Sequence, residues 1–320
     1  MDDASHGDEI AILIPAFNEA TSIRRVVLDF RAVFPAATVY VYDNGSTDDT
    51  AAEAASAGAV VRHERRPGKG HVIRRMFADI DSEVYVIVDG DDTYEAAAAG
   101  PMVERLVGAR LDLVNGRRES ALDANHRSGH RFGNWMLSSC VALFFGPSIV
   151  DMLSGFKVLS RRFVKSFPAL TSGFEIETEI TVHALELHLP VDELPVAYRK
   201  RAPGSASKLD TVRDGLRILR LILGLVRTER PMLFFGFFFA VLATVSTSLS
   251  VELFVDYRRT GLVRRYPTAV LCTGIMLLAF LSAVCGTVVE SVTLGRREHK
   301  RMVYLSVEPR SPRSAKPEVL

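Results

Sequence analysis

Cysteine is scarce in this chain and tryptophan scarcer. The three cysteines, Cys140, Cys272 and Cys285, stand at spacings that suit neither a zinc site nor a disulfide framework, and the last two lie inside apolar runs. Trp135 is the single tryptophan. Neither sign of charge dominates, since the formal net charge is +1 over 320 residues. That balance hides a gradient: the opening MDDASHGDE is acidic, and the last quarter alternates arginine clusters with long apolar runs. The acidic start lacks the basic n-region and apolar core of a secretory leader, so no signal peptide is expected. No internal repeat is visible. No glycine-rich signature loop follows the first apolar run, which counts against a nucleotidyltransferase.

What is present is an alternation of short apolar runs and helical patterns. Ile10 to Phe17 reads as a buried strand that should end at Pro15, which cannot donate to a ladder. Ile23, Val26, Val27, Phe30 and Val33 recur at helical spacing. Thr38 to Tyr42 is a second strand, followed by Asp43-Asn44-Gly45-Ser46-Thr47, where Ser46 or Thr47 is expected to cap an alanine-rich helix. A short strand at Ala59–Val61, a basic Pro67-Gly68-Lys69-Gly70 loop and a helix to about Ile80 come next. Further on, Ala96 to Ala109 and Glu175 to Leu187 read as helices, and so does Asn134 to Phe145. Leu111–Val114, Ser154–Leu159 and Val196–Tyr198 read as strands. This order predicts an α/β fold, a mostly parallel sheet with helices on both faces.

One stretch organises the rest. Glu83 to Val88 is a run of aromatic and β-branched residues, and it stops in Asp89-Gly90-Asp91-Asp92. In open α/β sheets ligands bind at the carboxyl ends of the strands. Carboxylates gathered there repel one another unless a cation sits among them, and oxygen donors of this kind suit Mg²⁺ or Mn²⁺ bridging to substrate phosphates.

The C-terminal third has a different character. Arg213, Arg217, Arg220 and Arg227 form a stripe beside apolar positions from Leu209 onward, the pattern of an interfacial amphipathic helix. Pro231 to Val251 and Tyr266 to Val289 carry no charge, and each reaches the roughly 20 residues that cross a bilayer. The expected organisation is an acidic tail at 1–9, an α/β domain at 10–208, an interface helix at 209–229, a two-span hairpin at 230–293 and a disordered cytoplasmic tail at 294–320. The large N-terminal domain is expected on the cytoplasmic side of the plasma (inner) membrane, with arginines flanking the hairpin.

Six segments, in order, carry a resemblance: IPAFNEA at Ile14–Ala20, YDNGSTDDT at Tyr42–Thr50, PGKGHVIRRMF at Pro67–Phe77, VDGDDTY at Val88–Tyr94, DMLSGFKV at Asp151–Val158 and YRKRAPGSASKL at Tyr198–Leu209. Over about Ile10 to Val289 the chain resembles family 2 glycosyltransferases of the polyprenyl-phosphate type, similar to dolichol-phosphate mannose synthases and bacterial polyprenyl-phosphate glucosyltransferases. The resemblance implies a GT-A (Rossmann-like) domain and inverting transfer of a sugar from a nucleotide-sugar donor to polyprenyl (undecaprenyl) phosphate. The expected partners are that donor, the lipid phosphate, the membrane and a second copy of the chain, with nucleic acid not among them.

Position by position, the resemblance implies a nucleoside pocket of Pro15, Ala16, Asn18 and Glu19, with Asp43 on the base. It implies Asp89 and Asp91 on the divalent metal (Mg²⁺ or Mn²⁺), and Lys69, Arg201 and Lys208 around the diphosphate. Many relatives carry glutamine where this chain has Thr93, and Asp92 is the substitute considered for the third metal contact. Arg117 and Arg131 are the candidates for the acceptor phosphate, with Arg118 and Arg127 as rivals, since the guanidinium fork suits phosphate. Asp151 matches an aspartate near the acceptor. Glu175 and Glu177 read mainly as helix-start charges. The Gln-x-x-Arg-Trp motif of processive polysaccharide synthases is missing: Arg131-Phe132-Gly133-Asn134 precedes Trp135.

Overall fold

An apolar run without polar alternation has to be covered on both faces, and the strands at the centre of the sheet meet that demand. The computed structural model describes residues 9–120, 149–173, 175–199, 223–224, 226–228 and 230–308. Seven strands form one sheet: β1 Ile10–Ala16, β2 Thr38–Asp43, β3 Val60–His63, β4 Val84–Ile87, β5 Leu113–Ser120, β6 Lys157–Ser160 and β7 Val191–Tyr198. Their order is β3-β2-β1-β4-β6-β5-β7. β1 pairs in parallel with both β2 and β4, and β5 with β7, whereas β6 runs antiparallel between β4 and β5. The chain order reverses between β1 and β4, so the loops that leave them flank the crevice where ligands bind in such sheets. Because β6 is reversed, its first residue lies at that same edge, with Lys157 paired to Ile87 and to Asn115.

The helices divide between the faces. α1 (Ile23–Val33), α2 (Thr50–Ser56) and α4 (Ala99–Gly108), the last entered through a 3₁₀ turn at Ala96–Ala98, share a buried cluster with Ile12, Ile14, Val39, Val41, Val86 and Val158. On the opposite face α3 (Lys69–Asp79) sets Phe77 edge-on against Tyr85 and Phe167. Two short elements complete that layer, α5 (Arg161–Ser166) and α6 (Ile176–Glu186).

Three local readings are corrected. α2 starts at Thr50 without a cap from Ser46 or Thr47; Asp48 accepts from the Thr50 amide instead, and the two predicted caps are used to join loops. β1 runs through Pro15 to Ala16. β7 begins five residues before Val196, at Val191, despite Pro195. β7 is the last strand of the sheet, where a proline costs no ladder bond on its open side.

The chain divides into two compact units, one of Met1–Ile218 with Lys300–Leu320 and one of Leu219–His299. In the second unit, α7 (Pro231–Thr260) and α8 (Tyr266–Ser306) are long and apolar enough to cross a membrane. They form a hairpin in which Ser246 Oγ donates to the Cys272 carbonyl at 2.8 Å and Ser282 Oγ to that of Phe235 at 3.0 Å. The turn between them opens on Gly261 at φ 67°. The disordered tail expected from residue 294 is corrected for residues 294–306, which continue α8. No proline or glycine interrupts Arg296–Ser306, so nothing in the sequence stops the helix there. The last turns, from Lys300, belong to the first unit: Tyr304 Oη donates to Asp112 at 2.8 Å, and Lys300 Nζ to Glu186 at 2.7 Å. Of the remaining expectations, the Asn134–Phe145 helix and nearly all of the amphipathic segment fall outside the described residues.

Within the second helix layer His183 is 2% exposed, and neither ring nitrogen has a hydrogen-bond partner among the described residues. It lies edge-on to Phe163 and Phe167 at 5.3 Å. Burial pushes its pKa down to about 4, with Lys300 adding to the fall and Glu186 opposing it. The folded chain therefore binds fewer protons here than the unfolded chain between the ordinary histidine range and about pH 4. Stability is full above that window and lost as pH falls through it. Going from pH 7.5 to pH 5 should remove about 2 kcal/mol through this residue. His183→Phe should flatten that part of the pH dependence of Tm, and an unchanged slope would rule out His183 as its source.

Candidate active site

The loops leaving β1 and β2 are stitched to each other by side chains. The Asn18 amide donates to Ser46 Oγ at 2.9 Å, and Asn18 Oδ1 accepts from the Thr47 amide at 2.8 Å. The Glu19 amide donates to Thr50 Oγ1 at 2.8 Å. Asn18 has φ 53°, a left-handed conformation that asparagine tolerates better than most residues. Pro15 pairs with Tyr42 and Ala16 with Asp43, so Pro15, Ala16, Asn18, Glu19 and Asp43 share one end of the β1–β2 pair. Asp43 is buried and accepts from the Ser46 amide and from His63 Nδ1 at 3.3 Å.

The β4 loop carries the aspartates. Ser22 Oγ donates to the Gly90 carbonyl at 2.7 Å, tying this loop to the one after β1. Asp91 is 4% exposed, and its Oδ1 accepts from the Thr93 amide and from Thr93 Oγ1 at 2.6 Å. Thr93 thus serves to hold Asp91. Asp92 sits at φ 57° with its carboxylate 3.1 Å from Arg25. Asp89 meets Lys69, whose Nζ lies 2.5 Å from Oδ1 and also contacts Glu177. A Cβ on Gly155 would stand 2.1 Å from Asp89 Oδ2, so only glycine lets the carboxylate lie there. Burial alone would lower the Lys69 ammonium, but Asp89 and Glu177 outweigh it and hold the group above the ordinary lysine range.

Asp89 and Asp91 are hard oxygen donors, and Asp89 already carries a cationic group on one oxygen. Among the described residues no three of His, Cys, Asp or Glu are gathered into a metal-holding group. As oxygen donors the two carboxylates suit Mg²⁺ or Mn²⁺, ions held through one or two carboxylates with the other positions left to phosphate and water.

A second cluster lies across β6. Asp151 accepts three hydrogen bonds from Arg118: from its amide at 3.1 Å, and from Nε and Nη2 at 2.7 Å each. The Arg118 guanidinium stands 5.5 Å from the Tyr198 ring centre. Burial would raise the Asp151 carboxyl, but the hydrogen bonds and charge of Arg118 prevail and hold it below the usual range. Lys157, 1% exposed, donates to Asn115 Oδ1 at 2.5 Å. Asn115 in turn donates to the Asp151 carbonyl and to Glu193, each at 2.8 Å. Burial pushes the Lys157 ammonium down to about 8 against the pull of Glu177 and Asp151.

The structure thus brings Lys69 to Asp89 and gathers the expected nucleoside-pocket residues. It pairs Arg117 with Glu119 at 3.2 Å, on a side chain 41% exposed. Arg131, Arg127, Arg201 and Lys208 lie outside the described residues. Sequence reasoning missed the partnership of Glu177 with Lys69, that of Arg118 with Asp151, and Lys157. A signal for Lys157 was present: a charge inside the apolar run Phe156–Leu159 calls for buried partners.

Comparison with known proteins gives the family and the fold. A family model described as glycosyl transferase family 2 matches residues 11–166. Glycosyltransferase AglJ of Haloferax volcanii is 32% identical over 251 residues, which cover 78% of this chain and 82% of AglJ. The chain belongs to glycosyltransferase family 2. Protein RfbJ of Shigella flexneri is 47% identical over 127 residues, 39% of this chain and 98% of RfbJ. Among solved structures, a Mycobacterium tuberculosis glucosyl-3-phosphoglycerate synthase in complex with Mn²⁺, uridine-diphosphate and glucosyl-3-phosphoglycerate superimposes with a TM-score of 0.56 at 21% identity, covering 70% of this chain and 80% of that one. The family-2 domain thus has a GT-A-like mixed sheet.

Removing one partner of the Arg118–Asp151 pair leaves a buried charge without its counter-ion, a loss of about 3 kcal/mol. Arg118→Met should lower unfolding stability by about that amount, and Arg118→Met with Asp151→Met should recover most of it. Urea titrations of the two variants decide this, and equal losses in both would contradict the pairing.

Proposed function

We propose that this family-2 glycosyltransferase transfers a hexose from a nucleoside-diphosphate sugar, a UDP-hexose, to a polyprenyl phosphate such as undecaprenyl phosphate at the cytoplasmic face of the plasma membrane. The products are the polyprenyl-phosphate sugar and the nucleoside diphosphate. One observation carries the reading: the same chain has an aspartate-bearing sheet edge, with Asp89 against Lys69, and two helices long and apolar enough to span a bilayer. The mycobacterial synthase supports the donor class, since it was solved with Mn²⁺ and UDP-glucose.

Asp89 and Asp91 would hold Mg²⁺ or Mn²⁺, which when bound neutralises charge on the departing diphosphate. Lys69, Arg201 and Lys208 supply further positive charge on that side. Pro15, Ala16, Asn18 and Glu19 receive the nucleoside and Asp43 the base. The acceptor phosphate is largely a dianion at neutral pH, on the analogy of a phosphomonoester with its second pKa near 6, so it needs no strong base. Its oxygen forms the bond to the anomeric carbon as the carbon–diphosphate bond breaks on the opposite side, inverting the configuration. Arg117 and Arg131 grip that phosphate, and Asp151 acts by holding Arg118 in place.

The test is transfer from radiolabelled UDP- and GDP-sugars to undecaprenyl phosphate, with and without Mn²⁺, beside an arm with 3-phosphoglycerate as acceptor. A labelled, chloroform-soluble product that requires the divalent ion is expected. Label only in the phosphoglycerate arm would replace the lipid acceptor with a soluble one. Asp91→Asn should abolish turnover with membrane insertion unchanged, and undiminished turnover would remove Asp91 from the site.

A further inference from the structure

Lys69 has an unusual place for a cation that would serve the diphosphate. Its ammonium lies on Asp89 Oδ1 and on Glu177 Oε1 together, with a side chain 9% exposed. The backbone beneath it is fixed. Gly68, at φ 125°, is so close to the 171–173 segment that a Cβ would stand 2.2 Å from the Ser172 carbonyl oxygen. The Gly70 amide donates to that same carbonyl at 3.1 Å. The segment is itself clamped: Arg74 donates to the carbonyls of Ala169, Leu170 and Thr171, and Glu179 accepts from the amides of Leu170 and Thr171. Any rearrangement of Lys69 must therefore come from its flexible four-carbon side chain, turning about Glu177.

A divalent ion and an ammonium cannot both take full advantage of the same carboxylate oxygen, because each repels the other. We propose that Lys69 competes with the metal for Asp89, so that the site admits the metal with its nucleotide as one complex. The diphosphate then takes over Lys69 as the metal takes over Asp89, and Glu177 keeps the ammonium within reach throughout. This rests on the reading of Asp89 as a metal ligand. It adds that bare metal is disfavoured, and that Lys69 works in opposite directions on metal alone and on metal with nucleotide.

The experiment is a Mn²⁺ titration of the full-length protein in nanodiscs, with free Mn²⁺ followed by electron paramagnetic resonance, first alone and then with saturating UDP or GDP. Lys69→Met should bind Mn²⁺ alone roughly tenfold more tightly than the wild type, a coupling of ordinary size between two ligands of one group. With nucleotide present the same variant should bind Mn²⁺ more weakly than the wild type. Lys69→Met with Glu177→Gln leaves no buried glutamate unpaired, and it should show the same tightening for Mn²⁺ alone even if the single variant folds poorly. Asp89→Asn should abolish Mn²⁺ binding in both conditions. If Asp89→Asn does so but neither Lys69 variant tightens Mn²⁺ alone, the competition is refuted and the metal site stands. If Asp89→Asn binds Mn²⁺ like the wild type, the metal site itself is refuted.

Discussion

Like charges crowd one rim of the sheet, and the architecture depends on how each is answered. At an effective dielectric constant near 20, two unit charges about 4 Å apart interact by about 4 kcal/mol, so unpaired carboxylates at strand ends would drive the loops apart. Asp92 has Arg25, Asp151 has Arg118, Asp43 has the Ser46 amide and His63, and Asp91 has Thr93. Asp89 has Lys69. Among these aspartates the Asp89 side chain is 30% exposed, against 18% for Asp92 and 7% for both Asp151 and Asp43. Asp89 is thus the aspartate of this set most open to a counter-charge brought from solution.

Two charge clusters meet through β6. On one side Glu177 and Asp89 share Lys69; on the other Arg118 grips Asp151. Lys157 stands between them, bonded to Asn115, which reaches both the Asp151 carbonyl and Glu193. Glu193 also accepts the amides of Val150 and Asp151. Burying a lysine gains little stability over an apolar side chain of similar size. What it contributes is placement: a hydrogen-bonded network with few alternative arrangements sets the 150–155 turn, and with it Gly155 beneath Asp89. The reversed β6 makes this possible by bringing its first residue to the edge where the parallel strands end.

The parallel half of the sheet was readable because Ile10–Ile14 and Val84–Val88 are unbroken apolar runs that stop in polar turns. The Asp89 loop was readable for the same reason, as were the two apolar helices. The antiparallel β6 was not, since four residues, Lys-Val-Leu-Ser, carry no mark of direction. β7 was foreshortened because Pro195 and the acidic Asp192-Glu193 look like an end, and only its position at the sheet margin makes them tolerable. Glu177 looked like a helix-start charge because its partner lies 108 residues away in sequence. Pairings of that kind are decided by topology, which periodicity cannot supply. Ser46 and Thr47 looked like caps because local chemistry offered that use, and loop-to-loop contacts with Asn18 claimed them instead.

The state of Asp151 bears on the chemistry itself. A carboxylate engaged by Nε, Nη2 and a backbone amide, and held below the usual pKa range by Arg118 after burial is overcome, is a poor proton acceptor. In a reaction that removed a proton from a sugar hydroxyl, that would be a defect. With a phosphate acceptor it is not, because the nucleophile arrives already ionised. The work left to the protein is then to hold two anions close together against their repulsion, for which fixed cations serve better than a base. In the proposed reaction the Arg118 guanidinium, locked by Asp151 and set over Tyr198, would order the acceptor side, and the Lys69 ammonium, released from Asp89, would follow the charge that builds on the departing diphosphate.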